Sequence, residues 1–329
     1  MFKSIEEIVE RAETEGAPVW RVVLAEEMDD SGRTEEEVLD RLKDRLQTMR
    51  EAVERGLGSD APSVSGLLGG GARRFEEWRA SGASVSGPFI GKVIARAQAT
   101  MEVNARMGTI VATPTAGSSG ILPAVLFAAE EELGFDDDDL ARGLLVAAGV
   151  GQVIVARASV AGATGGCQAE TGSAAAMASA ALTELRGGTP AMAAQAVAFT
   201  LQGMLGLICD PVAGLVEVPC LTRNVSGAVQ AVAASEMALS GLRFPIPADE
   251  VIDVMGQIGS EMDERYRETA KGGLATSPTG AKLAASVRWD GPGFENTNEA
   301  RARQLEAEEA GRASAEDGSS GTPGDGVDG

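Results

Sequence analysis

Leu144-Leu145-Val146-Ala147-Ala148-Gly149-Val150-Gly151-Gln152-Val153-Ile154-Val155-Ala156-Arg157 is the stretch whose reading decides the fold class. The apolar run continues to Gly166, but Gln152, Arg157 and its many glycines interrupt it. It therefore reads as a helix buried in a protein core, not as a membrane span. Its neighbours follow suit. Residues 136–139, all Asp, cap this helix over 140–157 and form a solvated acidic face. Helices are expected over 169–186, from Thr189-Pro190 to about 207, over 223–242 and over 247–262. Signals for β structure are sparse, with residues 109–112 the best short strand. The expected class is mainly α.

Towards the N-terminus, Ser4-Ile5-Glu6-Glu7 is a capping box that opens a short helix ending before Gly16 and Pro18. A second box, Thr34-Glu35-Glu36-Glu37, opens a longer one, with Val38, Leu42, Leu46, Met49 and Val53 on one face and Gly56 as its stop. Residues 56–72 turn Gly- and Ser-rich, either a linker or a loop whose backbone approaches something closely. Helices over 73–81 and from Ser86 and Pro88 towards Met107 come next. Residues 112–120, with Thr113, Thr115, Ser118 and Ser119, lead into a helix over 121–133. Such a segment is either an anion nest or a plain N-cap. Ala275-Thr276-Ser277-Pro278-Thr279-Gly280, after Lys271, partly echoes it, as the second wall of one polar pocket would.

The chain has 329 residues, 44% of them hydrophobic but only 4% aromatic, so its core must rest on Ala, Val, Leu and Gly. A net charge of -21 repels phosphate backbones and anionic lipid, which argues against nucleic-acid and membrane binding. With only five lysines, this acidic surface suits a salt-rich, halophilic cytoplasm, where screening suppresses self-repulsion. The first sixteen residues are charged throughout and show no leader, which points to a cytoplasmic protein.

Three cysteines and no histidine complete the inventory. Cys167 stands in Gly165-Gly166-Cys167-Gln168-Ala169-Glu170, while Cys209 and Cys220 bracket ten residues that begin Asp210-Pro211 and end Val218-Pro219. An odd number argues against disulfides and for a reducing compartment. The trio is either three small buried hydrophobes or a soft-metal site one protein ligand short. Clusters of iron and sulfide take cysteine thiolates, and an iron lacking a protein ligand is a Lewis acid.

Several blocks together resemble the iron–sulfur-dependent L-serine dehydratases, in the α subunit of their two-subunit form. They are Glu102-Val103-Asn104-Ala105, residues 112–120, the two cysteine segments, Arg223-Asn224 and Arg267-Glu268-Thr269-Ala270-Lys271-Gly272-Gly273-Leu274-Ala275. The resemblance covers the chain from its first helices to about Leu283. It implies a [4Fe-4S] cluster held by Cys167, Cys209 and Cys220, with one iron open to the serine hydroxyl. It also implies conversion of L-serine, a small amino-acid substrate, to pyruvate and ammonia within an oligomer that contains a β subunit.

On that reading the chain divides into N-terminal helices (1–58), a helical catalytic domain built around glycine-rich loops (59–290) and a disordered acidic tail (291–329). Thr113, Thr115, Ser118 and Ser119, with Asn104, would hold the substrate carboxylate, and Thr276 and Thr279 would face them. The base at Cα is either Lys271, Glu102 or Glu170 with a shifted pKa, or a group supplied by the β subunit. No pyridoxal phosphate is implied, since Lys271 is the only lysine in a pocket-like setting. The competing readings are a non-catalytic iron–sulfur sensor, a structural metal protein, or a related elimination on L-threonine or L-cysteine.

Overall fold

The computed structural model describes residues 2–287. Among them there are thirteen α-helices and no β-strand, only the isolated bridges Pro62–Gly69 and Cys209–Arg267. The chain is mainly α, as its patterning indicates. The acidic tail lies outside the described residues.

Five of the thirteen α-helices start at a side-chain cap, at Ser4, Thr34, Asp136, Thr189 and Ser277. Ser4 Oγ accepts the Glu7 amide at the head of α1 (Ile5–Glu15), though Glu7 returns the bond to the Lys3 amide instead of closing the box. Thr34 with Glu37 makes the complete box of α3 (Glu35–Leu57). Asp136 with Asp139 makes that of α7 (Asp137–Arg157). Between α1 and α3 stands a helix absent from the sequence reading, α2 (Val19–Ser31). Its cap is remote: Glu184, on α9 (Ser173–Leu185), accepts the Val19 and Trp20 amides at 2.7 and 2.9 Å.

The core is built on close backbone approach. Every residue of α9 from Ser173 to Thr183 is buried, and six of them are alanines. Around α9 pack α6 (Ile121–Leu133), α7, α10 (Pro190–Gln202) and α11 (Cys220–Leu239). Larger side chains such as Leu122, Leu126, Leu140, Ile154, Leu182 and Leu201 fill the gaps. Each contributes roughly 1.5–3 kcal/mol by leaving water. α3 crosses α5 (Gly87–Ala105) at Gly56, where a β-carbon would stand 2.2 Å from the Ala99 carbonyl oxygen. Gly56 is therefore a point of contact, not the expected stop; the helix ends at Leu57. α7 is long and apolar enough to cross a membrane, but 67% of that window is buried within the protein.

Three further expectations are corrected. Residues 108–112 form no strand; the Thr109 carbonyl accepts from the Arg55 guanidinium and has no ladder partner. The helix expected to reach 207 stops at Gln202, and the chain turns irregular towards Cys209. The helix expected from 169 begins as a π-turn over Gln168–Gly172. The Gly/Ser-rich segment is a pinned loop and no linker. Val64 donates its amide to the Ala105 carbonyl, and buried Glu217 accepts the Ser63 and Ser65 hydroxyls at 2.6 and 2.5 Å. The loop leads into α4 (Gly71–Ala80). The remaining helices are α8 (Gly162–Cys167), α12 (Ala248–Glu261) and α13 (Pro278–Ser286).

Candidate active site

Three separate elements deliver the cysteines. Cys167 ends α8, where the chain reverses at Gly166 with φ +73°. Only glycine fits there, because a β-carbon would stand 2.6 Å from Met262 Sδ and 2.9 Å from the Leu207 carbonyl. The π-turn that follows, a feature frequent at functional sites, carries Glu170, and Thr171 brings its Oγ1 within 2.9 Å of Cys167 Sγ. Cys209 is clipped to residues 266–268: its amide donates to Tyr266 and its carbonyl accepts from Glu268. Cys220 opens α11. All three are buried and free.

The thiols sit close enough to govern one another's ionisation. Burial pushes each of them up, and Cys167 pushes Cys209 and Cys220 further. Glu170 and Glu268 act in the same direction on Cys209 and Cys220, whereas the Arg223 guanidinium pulls Cys167 and Cys220 down. Among the described residues, no three His, Cys, Asp or Glu side chains converge tightly enough to hold a single metal ion. Cysteine thiols are the donors that clusters of iron and sulfide take, and here they act on one another's ionisation.

Two carboxylates share this space. A β-carbon on Gly162 would have Cys209 Sγ at 3.2 Å, Glu268 Oε2 at 3.2 Å and Glu170 Oε2 at 3.5 Å. Burial pushes the Glu170 carboxyl up, opposed by the Thr115 hydroxyl and reinforced by Glu268. Thr115 Oγ1 donates to Glu170 Oε1 and lies 3.0 Å from Ser118 Oγ. Asn224, fully buried on α11, supplies a second tie. It accepts the Gly120 amide and donates to the carbonyls of Gly117 and Cys220.

The structure thus joins the hydroxyl loop to the cysteines through Glu170 and Asn224. Within that loop, Ser118 donates to the Thr113 carbonyl, and Asn104 and Ser119 both donate to the Ala116 carbonyl. Thr113 Oγ1 is buried with no hydrogen-bond partner among the described residues. Thr276 and Thr279 are exposed, on elements that pack against Val212–Gly214. Their turn braces the Cys209 segment instead: Asp210 accepts the Leu274 amide at 2.6 Å and the Arg223 guanidinium at 2.6 Å.

The three base candidates separate clearly. Glu102 is occupied by the Gly71 and Ala72 amides at the head of α4 and by Arg106. Lys271 is exposed and pairs with Glu264 at 2.6 Å. Glu170 alone of the three acts electrostatically on the thiols. Sequence reasoning gave no role to Glu268 or Asn224. Both stand in blocks that carry the resemblance, but nothing local marks either as a neighbour of a cysteine.

The family described as serine dehydratase alpha chain matches residues 14–275. A probable L-serine dehydratase alpha chain of Bacillus subtilis is 47% identical over 287 residues, which cover 87% of this chain and 95% of the relative. The L-serine dehydratase alpha chain of Peptoniphilus asaccharolyticus is 45% identical over 283 residues, 86% of this chain and 97% of the relative. An L-serine dehydratase of Streptomyces coelicolor is 36% identical over 285 residues, which cover 84% of this chain but 61% of that longer protein.

Proposed function

This chain belongs to the serine dehydratase alpha-chain family, and we propose that it is the alpha chain of a cytoplasmic iron–sulfur L-serine dehydratase that turns L-serine into pyruvate and ammonia. The observation that carries the proposal is the gathering of Cys167, Cys209 and Cys220 beside Glu170, Glu268 and a hydroxyl-lined loop. The three thiolates would hold a [4Fe-4S] cluster, whose positive charge would offset their mutual repulsion. When bound, it supplies a Lewis acid that helps the serine hydroxyl leave.

The chain's own residues do the rest. Thr113 Oγ1, a buried hydroxyl with no partner among the described residues, donates to the substrate carboxylate. Asn104, Thr115, Ser118 and Ser119 shape the loop that presents it. Glu170 holds a proton more firmly than an ordinary carboxylate and shares the space around Gly162 with Cys209 Sγ, so it would protonate the departing hydroxyl. The base at Cα comes from a second chain, because Glu102 and Lys271 are engaged elsewhere and no histidine exists here. That named alpha chains match this one nearly end to end, while a relative called simply L-serine dehydratase is much longer, supports a separate β subunit.

The test is anaerobic reconstitution with iron and sulfide, with and without the second chain. A pyruvate (or 2-oxobutyrate) assay over L-serine, L-threonine and L-cysteine follows. About four irons per chain, an iron–sulfur spectrum that shifts with L-serine, and turnover only with both chains are expected. A spectrum indifferent to serine would favour the sensor reading, and full turnover by this chain alone would remove the partner's base.

A further inference from the structure

We infer that the cleft between α2, α3 and α7 is a second small-molecule site, shaped for the zwitterion of an aliphatic amino acid. The cleft encloses about 220 Å³ and shares no residue with the cysteine site. Val38 and Leu42 of α3 and Leu145 of α7 give it apolar walls. Arg41 and Arg45 stand at its edge, one helical turn apart, so both guanidinium groups can serve one anion. Neither side chain makes an ion pair or hydrogen bond with a described residue. On a chain with 49 acidic and 28 basic residues, these two exposed arginines have no partner among the described residues and stand open to an anion. Their position against an apolar wall suits a carboxylate attached to hydrocarbon.

An acceptor for a ligand N–H is provided as well. Gln152 of α7 lines the same cleft, and its Oε1 is buried with no hydrogen-bond partner among the described residues. A buried acceptor left unpaired is unfavourable, and a ligand N–H would relieve it. Glu27, also at the cleft, makes a long ion pair of 3.7 Å with Arg33, to which a ligand ammonium could add. A ligand with a carboxylate, an ammonium group and a short branched hydrocarbon meets all of these groups together. A fatty acid would leave Gln152 without a donor, and a sugar phosphate would leave the apolar walls unused. α7 runs from this cleft to Arg157, shortly before α8 and Cys167, so the site rests on the helix that leads into the cysteine turn.

The test is calorimetric titration of the full chain, together with any chain that co-purifies, using L-leucine, L-valine, L-serine and 4-methylpentanoate. Leucine or valine should saturate one site per chain at millimolar concentration, with serine and the amine-free acid weaker by about tenfold each. R41Q and R45Q should each weaken binding by about tenfold. Q152L should weaken it too, while leaving the ligand-free thermal midpoint unchanged or higher, which separates lost binding from lost folding. The inference is overturned if no aliphatic amino acid saturates. It also fails if the arginine variants bind leucine like the parent, or if 4-methylpentanoate matches leucine. Leucine, valine and 4-methylpentanoate carry no β-hydroxyl to eliminate, so their heats of binding are independent of serine turnover and neither outcome bears on the proposed reaction.

Discussion

Replacing Asn224 with alanine should unfasten the hydroxyl loop from the first turn of α11. Its carboxamide accepts the Gly120 amide at 3.0 Å and donates to the Gly117 carbonyl at 2.7 Å and the Cys220 carbonyl at 2.9 Å. Cys220 sits in a helix and can keep a backbone partner, but the other two groups are left in a buried setting. A buried polar group without a partner costs about 1–3 kcal/mol, so N224A should lose roughly 3–4 kcal/mol. A single domain has about 5–15 kcal/mol to lose, so the variant should still fold, with a lower urea midpoint at an unchanged slope. N224D sharpens the test. It keeps the acceptor for Gly120 but sets a carboxylate against two carbonyls, which raises its folded pKa above the unfolded value of about 3.9. The stability linked to its proton is therefore present below the unfolded value and lost as pH rises through the folded one. An N224A deficit under about 1 kcal/mol, or an N224D profile parallel to that of the parent across about pH 4 to 8, would refute the tie.

Glu184 gives a second pH signature. Burial pushes its carboxyl above the ordinary 4.5 against the pull of the Trp20 and Val19 amides. Its linked stability is whole below that value and declines as pH rises through the raised one, so the parent should lose ground to E184Q over that window in urea midpoints; parallel curves would contradict this. K271A should leave both pyruvate formation and the unfolding midpoint unchanged, since the exposed Lys271–Glu264 pair is far from burial; a large fall in kcat would restore Lys271 as the base. The charge of -21 predicts a thermal midpoint that climbs with added salt as repulsion is screened, and a flat salt series would remove the halophilic reading.

What the sequence shows and what it hides divide along a physical line. The helices of Thr34 and Asp136 are legible because their caps and apolar faces lie within a few residues of one another. The cysteine trio is legible by residue type. α2 is not, because its cap is Glu184, far along the chain. Gly56 misleads for the same reason, since only the approach of Ala99 explains it. The Gly/Ser loop could be read either way until Glu217, next to the cysteine segment's end, took its serines. In each case the missing information is a partner distant in sequence.

Those distant partners follow a rule that the composition makes intelligible. With no sheet among the described residues, the irregular segments around the cysteines have only the short Cys209–Arg267 bridge as backbone pairing. Buried acceptors do most of the rest. Glu102 takes two amides of the Gly/Ser loop's exit, Glu217 takes that loop's hydroxyls, and Asp210 takes Leu274 and Arg223. A carboxylate that accepts backbone amides is stabilised where it is buried, and it fixes a loop without adding bulk to an alanine- and glycine-based core. The acids that make this surface so negative are thus of two kinds. Exposed ones such as Glu37 and Asp136 cap helices or carry surface charge, whereas the buried Glu102, Glu217 and Asp210 hold the loops around the site.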